Sequence, residues 1–250
     1  DPAGSINKSS IGKTNFWEYS KPLYGAQLAP DMGLAGFPMP GAANPFVRMK
    51  FDTVYRWFTG EGVPIMPYDD AGRKNYYPMM RLTARDSSGR TLASTDIVLP
   101  VSDEMDCKAC HASGSVGTSR PNAGWAFLSD PEKDYKVNVL RVHDDRNASK
   151  PQVQSAALQL GLNPAGLYTT AITDGRPVLC ASCHASNALP GTGVAGIAPL
   201  TRALHAKHAN VVDPTNMLVL ETDKNRGACY RCHPGSETKC LRGAMGNALN

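Results

Sequence analysis

Three pentapeptides carry the chemistry that the sequence offers: Cys107-Lys108-Ala109-Cys110-His111, Cys180-Ala181-Ser182-Cys183-His184 and Cys229-Tyr230-Arg231-Cys232-His233. Each reads C-x-x-C-H, the pattern of covalent c-type haem attachment. Two cysteine sulfurs must reach the two vinyl-derived carbons on one edge of the porphyrin, while the adjoining imidazole turns under the ring to bind iron. C-x-x-C also serves zinc ribbons and redox dithiols. A zinc site would need the pairs to combine into four-ligand sets, and it gives no reason for a histidine after every second cysteine.

The histidine count sharpens the reading. Of six histidines, His111, His184 and His233 belong to the motifs, which leaves His143, His205 and His208. A six-coordinate haem takes a second axial ligand, and bis-histidine ligation of three haems would use every histidine once. His205 and His208 lie about one helical turn apart on one side, so two rings so close can serve two haems. One ligand could equally cross a subunit boundary. Methionine is the competing axial ligand, and a haem that used it would have the higher potential. Met105 is too near the first motif to reach it easily, and Met66, Met79 and Met80 fall in a strand-like region where packing explains them. Asp69, Asp70 and Asn75 could offer oxygen ligands to a calcium ion, but they lack the EF-hand spacing and read as a solvated loop. No Ser/His/Asp constellation and no Gly-rich phosphate loop stands out.

On the three motifs, the chain resembles the multihaem c-type cytochromes. The stretch from about Leu23 onward is also similar to a family of secreted bacterial multihaem proteins. The phrases that carry this narrower likeness are Gly62-Val63-Pro64-Ile65-Met66-Pro67-Tyr68-Asp69-Asp70, Leu99-Pro100-Val101-Ser102-Asp103-Glu104-Met105-Asp106, His233-Pro234-Gly235-Ser236 and Leu241-Arg242-Gly243-Ala244-Met245. Members often continue with further motifs, so a chain ending at Asn250 reads as a short member or as one whose tail has been removed. The resemblance implies electron transfer to redox partner proteins or extracellular acceptors, and it extends to assembly of a homopolymer, an extracellular haem wire. The rival is a multihaem reductase with one open haem site, which the histidine count disfavours; the chain is not expected to be an enzyme.

The totals agree with a haem-packed chain. Gly and Pro supply 23 and 19 of 250 residues, and aromatics only 7%. That mix suits loops packed around large flat cofactors. The formal charge of +4 would fall toward neutral or slightly acidic once haem propionates are added, so neither nucleic-acid nor membrane-surface binding is argued. No apolar run of about 18 residues could span a membrane. The motifs use six of seven cysteines and leave Cys240, read as a shielded free thiol. Covalent haem attachment in bacteria takes place outside the cytoplasm, so the expected location is periplasmic or extracellular and the sequence reads as a mature form.

The elements that must position the motifs divide the chain into an extended arm over 1–45, a β-rich region over 46–105 and a triheme region over 106–250. The arm is punctuated by Gly, Pro and Asn without a helical or strand period, and it would wrap its own domain or, on the sharper reading, grip a neighbouring subunit. Tyr77 to Arg85 and Thr91 to Leu99 form a predicted hairpin across Asp86-Ser87-Ser88-Gly89. Met80, Leu82 and Ala84 would form its buried face, and Val63 to Tyr68 would add a proline-limited edge strand. A helix is predicted to start at Ser129 through a capping box with Glu132, with Tyr135, Val139, Val142 and His143 on one stripe. Others should span Pro151 to Leu160, stopped by Gly161, and start near Pro199. The expected fold is mostly irregular and haem-cored, with a small β-rich N-terminal region and a few short α-helices.

Overall fold

Glycine and proline recur so often that the longest element among the described residues is a helix of 17. The computed structural model describes residues 7–39, 46–60, 62–74, 78–98, 105, 107–186, 191–213, 216–222 and 232. They form two compact units, one within Asp1–Met105 and one within Asp106–His233. The fold is mixed α/β and mostly irregular, with short helices and two small antiparallel sheets.

In the first unit, the extended arm is corrected: Phe16–Tyr24 is a helix, α1. Thr14 Oγ1 accepts the Phe16 N–H at its start, and Gly25 closes it in the left-handed conformation with its N–H on the Lys21 carbonyl. Pro22 inside this helix hid the signal. The segment before α1 is pinned to its own unit. Lys13 Nζ reaches Asp70 at 2.7 Å, Asn7 donates to the Met66 carbonyl at 2.6 Å, and Ser9 donates to Asp31 at 2.8 Å.

Strands β1 (Lys50–Asp52) and β2 (Trp57–Thr59) form a short hairpin that sequence patterning missed, with Phe51 opposite Phe58 at a ring separation of 5.1 Å. Strands β3 (Met79–Arg85) and β4 (Thr91–Val98) make the expected hairpin. Arg81 and Asp96 face each other across it through two bonds of 2.7 and 2.9 Å. Its buried face is weaker than the alternation suggested, because Met80, Leu82 and Ile97 are half-buried and Ala84 is exposed. The predicted edge strand over 63–68 is not formed; Pro64 and Pro67 remove ladder donors, and only an isolated bridge joins Tyr68 to Lys74.

The second unit starts with α2 (Lys108–His111), a single turn, followed by a 3-10 turn at Gly117–Ser119. Its main support is α3 (Pro131–Asn147). The cap is Asp130, not Ser129: its carboxylate accepts the N–H groups of Glu132 and Lys133, and Pro131 occupies the first helical position. Tyr135, Val137 and Val142 are buried along α3. Next come α4 (Pro151–Gln159), which ends before Gly161 as expected, and α5 (Leu167–Ile172). Asp144 of α3 accepts the Leu167 and Tyr168 N–H groups at 2.9 Å each, and Arg141 stacks over Tyr168 at 4.3 Å while bonding its hydroxyl. The remaining helices are α6 (Cys180–Cys183) and α7 (Leu200–His208).

Gly166 lets α5 come this close to Asp144. Its φ is +129°, and a Cβ there would sit 2.6 Å from Asp144 Oδ2. Gly166→Ala is therefore expected to cost about 2 kcal/mol through combined backbone strain and overlap. Denaturant titration followed by circular dichroism checks this; an unchanged midpoint would refute the α3–α5 junction described here.

Candidate functional site

The first two motifs fold alike for a local reason. A helical turn places residues three and four apart on one side, and in both motifs the histidine N–H bonds the carbonyl of the first cysteine at 2.9 Å. The turns are α2, which begins just after Cys107, and α6. Each therefore presents two sulfurs from one side and an imidazole beside them. Cys180 and Cys183 carry free thiols. Cys229, His233, Cys240 and Asn75 lie outside the described residues.

Tertiary contacts then hold the first motif. Asn138 of α3, fully buried, donates from Nδ2 to the His111 carbonyl at 3.0 Å and to Ser113 Oγ at 3.1 Å. Its Oδ1 accepts the Ala126 N–H at 2.9 Å. One turn earlier, buried Asp134 accepts the Ser113 N–H and hydroxyl at 2.7 Å each and the Leu128 N–H at 2.8 Å. The hydroxyls of Ser115 and Ser119 donate to the Cys110 carbonyl. The strand of chain after His111 is thus folded onto one polar face of α3. Sequence patterning had put attention on the apolar stripe and overlooked Asp134 and Asn138, although two short polar residues four apart on a helix are the available signal for such a clamp.

The second motif is joined directly to α7. His184 Nδ1 donates to the Ala198 carbonyl at 2.7 Å, the Val194 N–H bonds the Cys183 carbonyl, and the Leu200 N–H bonds the Ala185 carbonyl, both at 2.9 Å. Gly193 makes this closure possible, since a Cβ there would meet the Ala185 backbone at 2.5 Å. The far end of α7 is held by a return of the chain, with the Val211 N–H on the His208 carbonyl and the Glu221 N–H on that of Ala209.

Among the spare histidines, His205 is exposed and His208 half-exposed on α7. Their Nδ1 atoms face the Thr201 and Leu204 carbonyls at 2.8 and 2.7 Å. A carbonyl only accepts, so each Nδ1 carries a proton, as for His184, and the lone pair of a neutral ring then sits on Nε2. A hydrogen bond from Nδ1–H to a carbonyl orients an imidazole to bind a metal through Nε2. His143 sits on α3 with a buried Nδ1 that has no hydrogen-bond partner; Asp144 Oδ1 is 4.0 Å away. His111 and His208 are brought together, with ring centroids 6.4 Å apart and planes at 81°. Burial, then His208 and Arg146, push the His111 pKa down to about 4, so its ring is neutral. Burial and the neighbouring Cys180 push the Cys183 thiol up, opposite to the depressed thiol of a redox dithiol.

Among the described residues no group of three or more His, Cys, Asp or Glu side chains is placed to hold a metal ion. A haem brings four ligands of its own, so two cysteines on one turn, a neutral imidazole beside them and a further imidazole, His208, that spends Nδ1–H on a carbonyl are donors that fit it. The calcium candidates are engaged with cations instead: Asp69 pairs with Arg73 and Asp70 with Lys13, both at 2.7 Å. Met66 and Met80 stay in the first unit. No helix of the described residues is long and apolar enough to cross a membrane. No protein-family model, curated protein or solved structure matches the chain.

The clamp gives two expectations. Asn138→Ala leaves buried backbone groups without partners and is expected to cost about 2–3 kcal/mol, with faster amide exchange at Ala126 as the specific readout. The Asp134 carboxyl is held below its ordinary range, because burial, which raises it, is outweighed by the bonds from Ser113 and Leu128. A depressed folded pKa supplies stability above the unfolded pKa that disappears as pH falls through the folded value. The stability gap between wild type and Asp134→Asn should therefore be full near neutral pH and shrink below about pH 4. A gap that does not change with pH would contradict the assigned role.

Proposed function

We propose that the chain is an electron-transfer protein, a triheme c-type cytochrome with bis-histidine haems that works outside the cytoplasm. The observation that carries this reading is the hydrogen-bond pattern of the imidazoles: His184 and His208 each spend Nδ1–H on a backbone carbonyl, the arrangement that leaves Nε2 to bind a metal. The motif cysteines Cys107, Cys110, Cys180, Cys183, Cys229 and Cys232 would hold three haems through thioether bonds. His111, His184 and His233 would be the proximal ligands, and His143, His205 and His208 the distal ones. Haem iron, when bound, supplies reversible one-electron chemistry. The chain's part is to fix the rings, exclude water and set potentials through ligand identity and burial.

Intact-mass measurement of native protein is expected to find three haems added to the polypeptide, and the reduced protein should bind no carbon monoxide. Carbon monoxide at one haem per chain would instead support the reductase reading, and a haem-free chain would refute both. The family likeness carries a second layer, head-to-tail assembly into an extracellular haem wire. Electron microscopy of the secreted material should then show filaments, and a monomer on size exclusion would overturn that layer alone.

A further inference from the structure

We propose that His208 is the distal axial ligand of the iron attached at the first motif, opposite His111. The inference rests on the haem reading above and adds the pairing that the sequence leaves open.

A metal–imidazole bond is about 2.0 Å, and the bonded nitrogen lies about 1.1 Å from its ring centroid, so two imidazoles across one metal ion have centroids about 6.2 Å apart. The His111 and His208 centroids are 6.4 Å apart. Edge-to-face ring pairs span about 4.5–7 Å, so spacing alone does not separate ligation from packing. Donor chemistry does. His208 has committed Nδ1–H to Leu204 and holds a lone pair on Nε2, while the His111 ring carries a buried Nδ1 with no partner. Each neutral ring keeps one nitrogen lone pair, and neither ring bonds the other. A metal ion between them would accept a lone pair from each, which a packing contact does not do.

The chain path supports the same pairing. His208 ends α7, and the start of α7 is moored to the second motif through Ala198 and Leu200. This helix acts as a strut between the two attachment turns, setting them about one helix length apart, roughly 14 Å for nine residues.

The test uses holoprotein whose three haems have been counted by mass. Near-perpendicular imidazole planes give a strongly anisotropic low-spin ferric resonance, and the angle here is 81°. His208→Ala is expected to remove that one signal, produce one high-spin haem per chain and allow one carbon monoxide per chain on reduction. In a Cys107→Ser/Cys110→Ser background, which lacks the first haem, the same substitution should leave both remaining haems low-spin. His208→Met, which keeps a ligand, should raise the midpoint potential of one haem only, with all three retained. If His208→Ala still creates a high-spin haem in the cysteine-substituted background, His208 serves another iron and the pairing is wrong while the cytochrome reading survives. If His208→Ala leaves three low-spin haems, the two rings are a packing contact only and the pairing is likewise overturned. A chain with no covalent haem would remove the functional proposal first.

Discussion

The second unit depends on a buried polar face. Asp134 and Asn138 lie one turn apart on α3, and between them they engage the His111 carbonyl, both polar groups of Ser113 and the N–H groups of Ala126 and Leu128. Such a network costs free energy if half made and specifies one register if complete. It decides where the turn of the first motif sits on α3. The helix that carries it is held in turn by an Asp130 cap and by the Asp144 contact to α5. Each of these is a short acidic side chain that accepts backbone N–H groups. The unit is therefore built by carboxylates and amides that organise loops, with a modest apolar core to match: Tyr135, Val137, Val142, Ala156 and Leu162 are buried, while Leu158 and Ile172 stay exposed.

That economy follows from composition. A chain with few aromatics and frequent Gly and Pro cannot pair long apolar faces, so its fully buried side chains are small or polar: Ser10, Ser20, Thr170 and Asn138 beside Pro78 and Pro121. In the first unit the same solution recurs, with Asp31 and Asp69 gathering hydroxyl and N–H donors from their surroundings. The cofactors proposed above would supply the missing apolar mass. On that proposal, the protein provides attachment and orientation, and the flat rings provide packing.

What was legible in the sequence was what is encoded over a few residues. The C-x-x-C-H turns, the hairpin from Met79 to Val98, the stop at Gly161 and the helix after Pro199 all depend on spacing or on a single breaker. Three readings failed because a neighbour outweighed a local preference. Pro22 masked α1, which Thr14 and Gly25 nonetheless delimit. Asp130 displaced Ser129 as the cap because Pro131 pre-sets the helix at the next position. Pro64 and Pro67 kept 63–68 out of a sheet despite the β-branched Val63 and Ile65.

The site divides along the same line, and the division has a physical cause. Attachment chemistry needs two sulfurs and an imidazole within one turn, so it must appear as a contiguous motif. A distal ligand needs only one imidazole in the right place, and any residue in the chain can provide it if the fold brings it there. His143, His205 and His208 are therefore indistinguishable by count alone. What distinguishes His208 is its position at the end of a helix whose beginning is fixed on the second motif and whose last turn faces the first. On the proposal that His208 is such a ligand, its place is specified by the length and mooring of α7, so changes at Gly193 or Leu200, which hold the start of that helix, would bear on axial geometry as well as changes to the histidine itself.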